Sequence, residues 1–132
     1  MNEPERRWLY MANEDLRTAE LTWREGIYAQ TCFHAQQCAE KALKALLVAQ
    51  TGHAAPRTHF IVELLQLLPA KLQQEVPADL APVLDTYYVA TRYPDAIVGS
   101  LPEALPGRKD ACQALELARA VLLYVKEQLH QR

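Results

Sequence analysis

The feature that most constrains this chain is a helical repeat of apolar residues that persists almost from end to end. Leu9, Ala12, Leu16, Ala19 and Trp23 recur at steps of three and four, which places them along one side of an α-helix. No segment alternates with the period of two that a half-buried strand requires. The elements must therefore bury their stripes against one another, as helix on helix. With 132 residues, half of them apolar, the chain suits one domain spanning residues 1–132 with a single core.

Local signals divide the repeat. Asn2, Glu3, Pro4 and Glu5 suit the opening of a first helix that ends at Gly26. A second helix over about 28–50 places Tyr28, Cys32, Ala35, Ala39, Ala42, Leu43 and Leu46 on its buried face and Gln30, His34, Gln37 and Lys41 on the other. Its alanines permit close approach of neighbours, and Gly52 stops it. Thr58 is the local candidate to cap a third helix through Phe60, Ile61, Leu64, Leu65 and Leu68, which Pro69 interrupts or restarts. A fourth helix over about 78–92 tolerates Pro82 in its first turn and must end at Tyr93-Pro94. A long loop over Tyr93–Pro106 is expected next, then a last helix over about 107–130 built on Cys112, Leu115, Ala118, Leu122, Val125 and Leu129. Leu117, Val121 and Tyr124 widen its apolar face, so it is either central in the bundle or part of a homodimer surface. The expected fold is all-α, an up-and-down bundle of four to five helices with a long loop before the last.

Composition excludes several classes. No apolar run is long enough to span a membrane, and the N-terminal residues lack the apolar stretch of a signal peptide, so a cytoplasmic protein is expected. The three cysteines, Cys32, Cys38 and Cys112, lie within helical patterns and form no Cys-x-x-Cys pair, which suggests buried thiols with neither disulfide nor metal; no cofactor is expected. A net charge of −2 argues against a generic nucleic-acid coat. The charge is uneven, however. Lys41, Lys44, Arg57, His34, His53 and His59 fall in residues 27–59, a stretch with Glu40 as its only acid, which leaves room for a local anion site.

Three segments carry a family resemblance: Cys32-Phe33-His34-Ala35-Gln36-Gln37-Cys38-Ala39-Glu40-Lys41-Ala42-Leu43-Lys44-Ala45-Leu46-Leu47, then Arg57-Thr58-His59, then Thr91-Arg92-Tyr93-Pro94-Asp95. In order and spacing they resemble a HEPN domain, from Trp8 and Asp15-Leu16 to the last helix. The resemblance implies a homodimeric helical bundle, often encoded beside a minimal nucleotidyltransferase in a toxin-antitoxin-like module. Many members are metal-independent ribonucleases with arginine, four to six residues, then histidine: the histidine moves the 2′-hydroxyl proton and the arginine holds the phosphate. Here the next histidine after Arg92 is His130, and Arg57 and His59 are only two apart. The resemblance therefore implies a module that binds nucleotide or RNA in a cleft near Arg92 and His59, with no assigned catalytic residue. The alternatives are a ribonuclease toxin with a divergent site and a purely structural dimerisation module.

The candidate ligand-binding residues are Arg92, Tyr93, Asp95, His59, Lys41 and Lys44. Arg92 can grip a phosphate as a forked donor, Tyr93 can stack on a base and Asp95 can orient Arg92. Equally, Arg92 can bond the last carbonyls of its helix while Asp95 bonds its own loop. His59 at a helix start suits an anion, or packs within the bundle. Lys41 and Lys44 suit a phosphate or a solvated face, and Glu40 with Lys44, four apart, suits a surface pair. Of Tyr87 and Tyr88, one is expected in the core and the other at the site or interface.

Overall fold

The computed structural model describes residues 1–90 and 105–131. Six helices occupy them: α1 (Glu3–Arg24), α2 (Tyr28–Thr51), α3 (Ile61–Gln66), α4 (Ala70–Glu75), α5 (Leu80–Ala90) and α6 (Arg108–His130), with no strand among the described residues. The loop expected over Tyr93–Pro106 lies outside the described residues except for Leu105 and Pro106. None of the described helices is long and apolar enough to cross a membrane.

The helix ends follow from local chemistry. The backbone N–H of Asn2 donates to the Glu5 carboxylate at 3.1 Å, tying down the first turn of α1. Gly26 and Gly52 adopt φ of 74° and 73°, the left-handed conformation that a side chain disfavours, and so end α1 and α2. Pro69 separates α3 from α4, the restart that the sequence pattern allows.

The start of α3 departs from expectation. Thr58 Oγ1 accepts from the Phe60 N–H at 3.1 Å, but the first two N–H groups of the helix, those of Ile61 and Val62, donate to the Asp85 carboxylate at 2.7 and 2.9 Å. The cap comes from α5, 24 residues from Ile61, and it fixes α3 against α5 while placing negative charge at a positive helix end.

The central helix is α2, which contacts α1, α3, α5 and α6. Ala35, Ala39, Ala42 and Ala45 are fully buried on it, as are Ala12 and Ala19 of α1 and Ala111, Ala114 and Ala118 of α6. These small side chains let three helices approach closely, while Leu43, Leu46, Ile61, Leu64, Leu80, Leu84 and Leu122 fill the space between. The last helix is thus one wall of the bundle and not its centre, with Leu123 left exposed. Cys32 and Cys38 are buried, and burial pushes both thiols up to about 12. Cys112, one residue beyond the buried Ala111, is only half-buried and meets the Glu116 carboxylate at 3.6 Å.

Asp85→Ala removes the shared partner of two N–H groups, and we expect a loss of about 1–2 kcal/mol in urea unfolding. A change below a few tenths of a kcal/mol would show that α3 needs no cap.

Candidate functional site

Two buried carboxylates, Glu40 of α2 and Asp15 of α1, gather the polar residues of α2 into clusters. In the first, Glu40 is all but buried, with Lys44 at 3.0 Å and His59 Nδ1 at 3.4 Å, both against Oε2. Gln37 Nε2 donates to Oε1 at 3.4 Å and to Gln36 Oε1 at 2.7 Å, and Gln36 Nε2 donates to the His59 carbonyl at 2.9 Å. A closed ring of hydrogen bonds therefore ties His59 to α2 through both its backbone and its imidazole.

The network extends at each end. Lys44 Nζ lies 5.2 Å from the centroid of the Trp8 ring, a cation–π contact that joins α1 to α2. The His59 ring stacks on Tyr88 of α5 at 5.1 Å with only 12° between the planes, and Phe60 meets Tyr88 edge-on at 5.5 Å. Trp8, Lys44, Glu40, His59 and Tyr88 thus form one continuous line across the bundle. Glu40 and Lys44 form the pair their spacing suggests, but with side chains 3 % and 5 % exposed it is a buried pair, because Trp8 covers the lysine.

In the second cluster Asp15 of α1 accepts from His34 Nδ1 at 3.0 Å and from Lys41 Nζ at 2.6 Å, one contact to each oxygen. Burial pushes the Asp15 carboxyl up, but the His34 and Lys41 hydrogen bonds and their charges outweigh it and leave the pKa below the ordinary 3.8. Lys41 is thus committed to a carboxylate and is no free cation on a solvated face.

Of the six candidates, His59, Lys41 and Lys44 fall on these clusters, His59 and Lys44 sharing Glu40 and Lys41 belonging to Asp15. Arg92, Tyr93 and Asp95 lie outside the described residues. Tyr87 packs against the core, and Tyr88 stacks on His59. Sequence reasoning missed Asp15 and His34 as partners. The available signal was an aspartate beside Leu16 on the apolar stripe of α1, opposite a histidine on α2.

The HEPN domain model matches residues 5–128, and the chain belongs to the HEPN family. A Thermus thermophilus protein of known crystal structure is 42 % identical, with a TM-score of 0.79 over 93 % of this chain and 96 % of its own. An archaeal HEPN homologue is 34 % identical, with a TM-score of 0.71 over 97 % and 98 %. A Methanocaldococcus jannaschii protein named as a candidate toxin is 28 % identical over 92 % of this chain and 85 % of its own.

Two outcomes check the clusters. Lys44→Met strands the buried Glu40 charge and is expected to cost about 3–5 kcal/mol in denaturant unfolding, most of which the double variant Glu40→Leu, Lys44→Met recovers. For Asp15 the depressed pKa means that its contribution is fully present above 3.8 and is lost as pH falls through the lower folded value. Asp15→Asn should therefore flatten the loss of stability below pH 3.8 in an acid titration.

Proposed function

We propose that this HEPN protein is a nucleotide- or RNA-binding module that acts as a homodimer with a minimal nucleotidyltransferase in a toxin-antitoxin-like pair, holding its ligand beside His59. The observation that carries this reading is the His59–Tyr88 stack. The His59 side chain is 53 % exposed, yet it is held by Glu40, by the Gln36 bond to its carbonyl and by Tyr88. A flat ring that is both reachable and preorganised loses little freedom when a base stacks on or beside it. Arg92 follows Tyr88 by four residues in sequence, and an arginine supplies the forked donor a phosphate requires. The toxin name of the Methanocaldococcus jannaschii relative supports the module, and the absence of a histidine separated from Arg92 by four to six residues favours holding over cutting.

Titration of the purified protein with mononucleotides and labelled single-stranded RNA tests this. We expect binding that weakens about tenfold, roughly 1.4 kcal/mol, in His59→Ala and in Arg92→Ala, with a shallower salt dependence for the arginine variant. RNA incubated with the protein in EDTA should be recovered intact. Cleavage that Arg92→Ala abolishes would make the protein a ribonuclease instead. Binding untouched by either substitution would refute the site.

A further inference from the structure

The two clusters treat their histidines differently. His59 Nδ1 stands 3.4 Å from Glu40, and its ring is stacked. His34 Nδ1 is 3.0 Å from Asp15, and only 26 % of its side chain is exposed. With an anionic carboxylate as its partner, Nδ1 must be the donor, so the proton sits on Nδ1 and the lone pair on Nε2 when the ring is neutral. Among the described residues Nε2 has no hydrogen-bond partner, yet no buried side-chain nitrogen or oxygen there lacks one. The described residues therefore do not seal Nε2 from solvent. Lys41 holds the other oxygen of the same carboxylate at 2.6 Å, which fixes the direction of Asp15 and keeps it charged.

We infer that His34 is a nucleophilic centre that accepts a phosphoryl group on Nε2, with Asp15 as its positioning residue and Lys41 holding Asp15 in place. This chemistry is separate from ligand binding at His59. An imidazole that attacks phosphorus through Nε2 while keeping its Nδ1 proton becomes cationic, and the Asp15 carboxylate stabilises that charge as it forms. The co-reactant is a phosphoryl donor with a good leaving group. With phosphoramidate, the Nε2 lone pair forms the new P–N bond, the donor's own P–N bond breaks, and ammonia departs with its electron pair.

The test treats the folded protein with phosphoramidate and follows phosphoryl addition to His34, His53, His59 and His130 by mass spectrometry of peptides kept at neutral to basic pH. His53, which is exposed, is the internal reference. His34 should be modified about tenfold faster than His53 despite its lower exposure, and Asp15→Asn should remove that advantage. His34→Gln should abolish the fast phase. A wild-type His34 rate no greater than that of His53 overturns the inference, and this comparison stands even if Asp15→Asn fails to fold. An unchanged His34 rate in a folded Asp15→Asn overturns it equally, since a merely structural contact would leave the rate unmoved.

Discussion

A glutamate with almost no access to water, placed in the middle of the central helix, is the constraint around which this bundle is arranged. Leaving such a charge unpaired would cost several kcal/mol, so every oxygen of Glu40 has to find a donor. Lys44 supplies the charge, Gln37 an amide and His59 an imidazole. Each donor then has to be held. Trp8 covers the lysine, Gln36 fixes both Gln37 and the backbone of His59, and Tyr88 covers one face of the imidazole. A single buried carboxylate thereby sets the mutual positions of α1, α2, the segment before α3, and α5.

Replacing such a pair with apolar residues of like volume is often neutral or stabilising, so stability alone gives little reason to keep it. What an apolar substitute could not do is aim a half-exposed imidazole. The core already has enough leucine and alanine to close the bundle, and the alanines of α1, α2 and α6 bring the backbones together without help from charge. The polar line from Trp8 to Tyr88 is better explained by the group at its open end. The same reasoning applies to Asp15, which places His34 and Lys41 on the α1 side of α2.

Much of the fold was legible because its signals are local. The left-handed glycines at 26 and 52 end helices through their own backbone, and Pro69 divides α3 from α4 without reference to any distant residue. The cap of α3 was not legible. Thr58 stands where a capping residue belongs, but the carboxylate that reaches Ile61 and Val62 comes from Asp85, and only the tertiary fold brings it there. Burial of Glu40 and Lys44 was hidden for a related reason. A glutamate four residues before a lysine has the same spacing on a wet helix face as on a dry one, and it is Trp8, 36 residues from Lys44 on another helix, that makes this one dry. Family membership was readable from three separated segments, whereas the hydrogen bonds that tie those segments together were not.

The two histidine sites also show why a shared motif content need not fix a shared chemistry. In both, a carboxylate holds Nδ1 and a lysine holds the carboxylate. Geometry separates them. The Glu40 oxygen that faces His59 also serves Lys44, and the imidazole sits at 3.4 Å and stacks on tyrosine. That arrangement favours a fixed flat surface over a polarised ring. Asp15 divides its oxygens, one to His34 at 3.0 Å and one to Lys41 at 2.6 Å, so the full strength of one oxygen falls on the imidazole. A base or phosphate is better received at the first, and an electron-poor phosphorus at the second, because only there does the ring present an outward lone pair backed by an unshared carboxylate oxygen.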